Sequence, residues 1–319
     1  MSNRTPISEV TLVGFPGTPE YLDSSISAIM FLVYIISLVA NGSVILLVIF
    51  SVHLHQPMYL IIANLSASDL LFDTVTLPKI IGKYWFGAAQ MPFRACLFQM
   101  FCVHCFGTVD SFLLLLMAVD RYVAICHPLR YAAIIDIRKI VLACGLCWVV
   151  LAPSTIIVIT ARISQIVLCD RDKINTLFCT HTAISALSCT DVSSLRVVAF
   201  TSALVVLLAC LALIIISYIL IIREISSTHS ENWGKAFYTC TTHLLVISLY
   251  YVPRIFVYIV TNTPLLKIQS EINVLLLCLY SFVPHLASPI IYFLRTKEIT
   301  ETLRNVLRKK VRSFPPLNY

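Results

Sequence analysis

Four stretches of this chain, residues 24–52, 140–161, 197–222 and 272–294, run for the depth of a membrane without one Asp, Glu, Lys or Arg. At about 1.5 Å per residue in a helix, each reaches roughly 30 Å or more, the thickness of a bilayer's hydrocarbon. A water-soluble domain has no use for four such helices. The charged fraction, 12% of 319 residues, is about half the usual share for a soluble protein.

Three further apolar stretches are interrupted, and the interruptions are informative. Residues 59–81 carry Asp69, Asp73 and Lys79, residues 95–119 carry Asp110, and residues 236–260 carry Arg254. An ionisable group at such depth normally faces a bundle interior or a wet cavity. The expectation is an all-α membrane protein, a seven-transmembrane helix bundle forming one domain over residues 1–319. Residues 1–24 form a tail, 25–294 the bundle, and 295–319 a surface helix and second tail. Ile299, Leu303, Val306 and Leu307 among basic neighbours give that last helix an amphipathic character suited to a membrane surface.

The net charge of +7 is unevenly placed. Arg130, Arg138, Lys139, Arg223, Lys235, Arg295, Lys297 and the cluster Arg304, Arg308, Lys309, Lys310 and Arg312 fall on alternate connections and the C-terminal end. That bias predicts an extracellular N-terminus and a cytoplasmic C-terminus. The basic cluster faces membrane lipids rather than nucleic acid, because the rest of the chain is apolar. No charged leader with a small-residue cleavage site precedes the first span, so that span is expected to direct insertion and be retained. Asn3-Arg-Thr5 is a usable glycosylation sequon, whereas Asn64-Leu-Ser66 lies inside a span.

The segment Met117-Ala-Val-Asp-Arg-Tyr-Val-Ala-Ile-Cys-His-Pro-Leu-Arg-Tyr131 ends a long apolar helix on an acid, a base and a phenol. Asp120 and Arg121 at that depth read first as a switch and second as an interfacial anchor. This segment resembles the inner end of the third helix of olfactory receptors, a branch of the rhodopsin-like G-protein-coupled receptors. Lys235-Ala-Phe-Tyr-Thr-Cys-Thr-Thr-His243 is similar to the signature opening their sixth helix, and His53-Leu-His-Gln-Pro-Met-Tyr59 to an inner-loop motif. Pro284-His-Leu-Ala-Ser-Pro-Ile-Ile-Tyr292 matches the seventh-helix pattern with Ser288 in the usual Asn place. The resemblance spans residues 14–312. It implies a plasma-membrane receptor for a small-molecule odorant in sensory-neuron cilia, coupled to a stimulatory olfactory heterotrimeric G protein and cyclic AMP.

Of 12 cysteines, Cys96, Cys169, Cys179 and Cys189 lie toward the outer side, and spacing alone allows three pairings. The resemblance implies Cys96 to Cys179 and Cys169 to Cys189. A zinc site using Cys179, His181 and Asp170 lacks a compact spacing and loses its thiolates on oxidation. The connection over residues 162–196 is too long for a simple turn and is expected to fold as a lid or plug.

His104, Gly107, Thr108 and Ser111 share one helical face, as do Tyr251, Arg254 and Tyr258. The resemblance places His104, Gly107, Thr108, Tyr251, Arg254 and Tyr258 at a ligand cavity between helices three, five, six and seven, with Ser202, Cys278 and Ser281. Arg254 has two readings: its planar fork receives an anionic ligand group, or it pairs with a protein acid such as Asp191. Tyr251-Val-Pro253 resembles receptors associated with water-soluble odorants.

Two buried carboxylates, Asp69 and Asp110, require a proton, a water network or a sodium ion, with Asn41, Ser66 and Ser288 as further polar neighbours. The resemblance assigns Arg121 to G-protein contact, restrained by Asp120 and flanked by Tyr122, with Tyr218 and Tyr292 reorganising toward it. No cofactor other than a candidate sodium is expected. No nucleophile completes a triad with His104 and Asp110, so enzymatic chemistry is not expected. A non-signalling structural or chaperoning relative is the alternative. A transporter is weaker, since no two-half repeat is evident.

Overall fold

The computed structural model describes residues 8–169, 172–227, 233–262 and 269–312. Asn3, Asp170, the Ser226–Ser230 loop from residue 228 and the tail beyond 312 therefore lie outside the described residues. Helices α1 (Asp23–Phe50), α2 (Pro57–Phe86) and α3 (Phe93–Cys126) are followed by a short turn of helix, α4 (Tyr131–Ile134). The next span is α5 (Ile137–Leu146), a π-helical turn over Cys147–Leu151, and α6 (Ala152–Ile163). After the small helix α7 (His181–Ser185) come α8 (Ser193–Ser227), α9 (Trp233–Asn262), α10 (Ser270–Arg295) and α11 (Lys297–Arg312). Among the described residues, seven segments are long and apolar enough to cross a membrane.

Local chemistry sets several of these boundaries. Pro57 opens α2, where the missing N–H costs no helical bond, and Gly87 closes it with a left-handed φ of 65°. Asp136 caps α5 by accepting the Lys139 amide at 2.9 Å. The bundle is apolar on both sides of its helices. Leu65, Val109, Leu113, Leu114 and Val246 are buried inside, while Phe50, Val149, Val198 and Val205 stand exposed on the outside. Outward apolar faces of this extent are what hydrocarbon, not water, stabilises.

One end of the bundle carries structure that periodicity did not announce. Residues expected to form an irregular tail contribute strand β1 (Glu9–Leu12), which pairs antiparallel with β2 (Gln90–Pro92) and parallel with β3 (Lys173–Ile174). Each strand is too short to show a period of two. Disulfides join Cys96 to Cys179 and Cys169 to Cys189. The long connection thus folds inward as a plug, with Leu177 and Phe178 fully buried against Phe72 and Phe282. The sheet and the plug together make up the sheet end of the bundle.

Candidate functional site: a cavity, a polar core and an ionic lock

Beneath the plug lies a cavity of about 340 Å³. The predicted residues His104, Gly107, Thr108, Ser202, Arg254 and Tyr258 all line it. Thr108 and Ser202 donate their hydroxyl protons to carbonyls of their own helices, at 2.9 and 3.0 Å, leaving lone pairs for a ligand. His104 Nε2 accepts the backbone N–H of His181 at 3.3 Å, which ties the plug to α3. Tyr258 stacks on Phe200. Three predicted wall residues do not line the cavity. Tyr251 and Ser281 are buried in helix packing, and Cys278 packs beside the Phe72 cluster. Helical phase gives a side chain's direction but not the depth at which the cavity stops.

Arg254 Nη1 donates to the Gly107 carbonyl at 2.8 Å, and its Nη2 stands 3.9 Å from Asp110 Oδ2. The protein acid nearest this guanidinium is therefore Asp110, not Asp191. Asp191 is exposed and accepts the Ser193 amide at 2.8 Å, which holds its carboxyl below the usual range. Arg254 is 14% exposed in its side chain and faces the cavity rather than lipid.

Deeper in the bundle, the carboxylates are joined by a histidine. His285 sets Nδ1 2.8 Å from Asp73 Oδ1 and Nε2 3.5 Å from Asp69 Oδ1. Ser37 donates to Asp73 at 2.5 Å, Tyr250 to Asp69 at 2.6 Å, and Asn41 to the His285 carbonyl at 3.0 Å. Asp69, Asp110 and His285 each offer a ligand atom within 4.8 Å of the others. That donor set does not suit sodium, a hard ion that prefers an all-oxygen shell. Both ring nitrogens face carboxylate oxygens, an arrangement that a doubly protonated imidazolium satisfies. A protonated His285 would place positive charge between Asp69 and Asp73, an alternative to the sodium ion expected beside Asp69 and Asp110. Ser288 and Ser66 are buried nearby in sequence to this network but show no hydrogen bond from their hydroxyls.

At the opposite end, Asp120 is fully buried and holds Arg121, whose Nη2 lies 2.6 Å from Asp120 Oδ2. Tyr131 donates to the other carboxylate oxygen at 2.7 Å. Burial and the Asp120 charge raise the Tyr131 phenol, so it remains a donor. Tyr122, expected at this switch, instead turns edge-on to His127. Tyr292 is fully buried and reaches Met117 Sδ at 3.6 Å, while the Tyr218 hydroxyl is buried without a partner. A small hollow of about 130 Å³ adjoins Arg121, between Tyr59, His243, Arg295 and Glu298.

A cavity beneath the plug at one end and a held Arg at the other, within seven spans, form a ligand receptor's geometry. A family model described as olfactory receptor matches residues 30–310. The chain belongs to the olfactory receptor family. It is 34% identical to human olfactory receptor 1M1 over 314 residues, covering 98% of each chain. It is 35% identical to mouse olfactory receptor 1E16 over 309 residues, with 97% of each covered. Human olfactory receptor 51E1 shares 30% identity over 321 residues. The fold resembles squid rhodopsin, with a TM-score of 0.67 at 15% identity over 96% of this chain and 93% of that one. The receptor is a multi-pass plasma-membrane protein that senses odorants, and it is not an enzyme.

Sequence reasoning missed several residues that shape the receptor's site. Arg196, His181, Thr160, Asn273 and Tyr280 also line the cavity. In the sequence Asp73 reads only as a charge within a span and His285 only as part of a motif. Tyr131 reads there only as the end of the segment that carries Asp120 and Arg121. Asp73 and His285 carried the available signal, ionisable groups at bilayer depth.

Proposed function

We propose that the receptor responds to a small anionic odorant whose charged group docks at Arg254, with His104 and Tyr258 adding directional contacts. The observation that carries this reading is the Arg254 guanidinium in the wall of a cavity lined by both apolar and polar side chains. Apolar walls supply affinity through burial, and the planar fork supplies selectivity for carboxylate over alcohol or amine. A carboxylate at Nη2 competes with Asp110, so ligand binding loosens the contact between the cavity and the polar core. Alternative packings of α3, α9 and α10 then couple this change to Arg121.

In this reading the sheet end faces outside and the Arg121 end faces the cytoplasm, as the basic bias requires. Helix α11 lies on the inner leaflet, and Asn3 carries the glycan. Arg121 engages a stimulatory olfactory heterotrimeric G protein, raising cyclic AMP in sensory-neuron cilia. The test uses acid, amide, alcohol and amine forms of one carbon skeleton with a cyclic-AMP readout. The acid should be most potent, and Arg254→Gln should weaken it selectively by roughly 2 kcal/mol. Arg254→Lys keeps the charge but removes the fork, and should recover only part of that loss. Equal loss for all four forms at matched surface abundance would return Arg254 to a structural role. Absence of agonist-dependent nucleotide exchange with every form would favour a non-signalling relative.

A further inference from the structure

A second guanidinium lines the cavity at its solvent-exposed edge, within reach of the charge of Asp191. Arg196 lies in the first turn of α8 and forms part of the cavity wall. Among the described residues its side chain makes no ion pair or hydrogen bond. Its neighbour in sequence, Asp191, is turned to the Ser193 amide instead. His181, at the start of α7, lines the same cavity and is 7% exposed, yet its Nε2 has no hydrogen-bond partner. The hydroxyl of Thr160, also in the wall, is buried and equally unpartnered.

Unsatisfied buried polar groups are costly, and two that share a cavity with a guanidinium at its exposed edge point to a polar ligand group there. We propose that Arg196 and His181 form a second anion-recognition subsite at the sheet end of the cavity, making the preferred ligand a short aliphatic diacid. This rests on the anionic-ligand reading for the group at Arg254, but the outer subsite is independent of it.

Both subsites are held against α3. The plug touches α3 at His104, and Arg254 touches it at Gly107, three residues on. His104 and Gly107 are about one turn apart on α3, which keeps both contacts on one stretch of the cavity wall. The wall also presents Val103, Ile159, Val206, Val257 and Leu277, apolar surface that suits methylenes. Burial and the nearby Arg196 push the His181 imidazole down to about 4, so near neutrality it is uncharged. Its ring can then donate one N–H to a carboxylate while Arg196 supplies the charge. Charge-assisted contacts at both ends would also discriminate against a monoacid that leaves the outer groups unpaired.

The test compares monoacid, ω-hydroxy acid and diacid of equal carbon number over increasing chain length. Readouts are cyclic AMP in cells and thermal stabilisation of the purified full-length receptor. A diacid of one preferred length should exceed its monoacid by about tenfold or more in potency. Arg196→Gln should cut diacid potency at least about tenfold further than monoacid potency, and Arg196→Lys should recover part of the difference. His181→Gln serves as the second variant if Arg196→Gln fails to reach the surface, with the same selective loss expected. A native receptor that prefers the monoacid at every length, or equal loss of both ligands in the variants, overturns the proposal. If Arg254→Gln spares both acids while Arg196→Gln abolishes the diacid response, the inner reading fails and the outer subsite stands. If only Arg254→Gln acts, the outer subsite fails alone.

Discussion

His285 Nδ1 lies 2.8 Å from Asp73 Oδ1, joining two residues 212 positions apart in the chain. The bond ties α10 to α2, and the same ring reaches Asp69 on the next turn of α2. With Ser37 and Asn41 of α1 bonded to the same pair, one buried network fixes three helices.

Breaking that network from the basic side should be severe. His285→Leu leaves two buried carboxylates without their cation and should cost about 3 kcal/mol or more, read as a lower thermal midpoint and reduced surface abundance. Asp73→Asn in the same chain removes one of the stranded charges and should recover much of the loss. An unchanged midpoint in the single variant would mean the ring is not charged there.

Much of this arrangement was legible in the sequence, and the missing part has a physical cause. Charge-free runs announce helices in lipid, because only a closed backbone survives there. An acid or base within such a run announces an inward face, which located Asp69, Asp110 and Arg254. Pairing between helices leaves no such trace. Nothing in one chain says that His285 meets Asp73, or that Arg254 meets Asp110 rather than Asp191. Tyr251 shares the face of Arg254 yet misses the cavity, since a period of 3.6 fixes direction and leaves depth to the packing of the plug.

Gly107 tests the Arg254 contact without touching the charge. A Cβ built there would stand 3.2 Å from Arg254 Nη2 and 3.6 Å from its Cζ. The position is helical, so Gly107→Ala carries no backbone strain and displaces the guanidinium by a few tenths of an ångström. Acid agonists should lose about three- to tenfold in potency while the matched alcohol changes little. Equal change for acid and alcohol would show that the methyl group only narrows the cavity.

Tyr131→Phe removes one of the two groups holding Asp120. A hydrogen bond to a charged group contributes about 1.5–3 kcal/mol, so the held state should lose on the order of tenfold in population. Agonist-free cyclic AMP should rise at matched surface abundance, with agonist potency also increased. Arg121→Ala gives the opposite sign, retaining ligand binding but losing nucleotide exchange. A Tyr131→Phe receptor with unchanged basal signalling would place the restraint elsewhere.

The plug depends on Cys179, which connects the loop to the start of α3 at Cys96. Cys179→Ser should destabilise the receptor by about 2–5 kcal/mol and trap much of it before the surface. Fluorescent labelling of cell-surface receptor and non-reducing peptide maps check both points. Wild-type surface levels for the variant would show that the sheet and the Phe178 packing suffice alone.

His181 gives the plug a pH dependence whose sign follows from burial. In the folded receptor its imidazole is pushed from the ordinary 6.5 down to about 4, chiefly by desolvation and then by Arg196. The open or unfolded loop therefore binds a proton in a range where the folded loop does not. Stability rises with pH wherever the unfolded state holds more protons, so the plug is at full strength above about 6.5 and weakens as pH falls toward 4. Asp191 does not offset this, because its carboxyl is held below its usual range and stays ionised through that window. Thermal midpoint and agonist potency should both decline between pH 7 and pH 5, and His181→Gln should flatten the decline. A decline of equal slope in His181→Gln would assign it to another group.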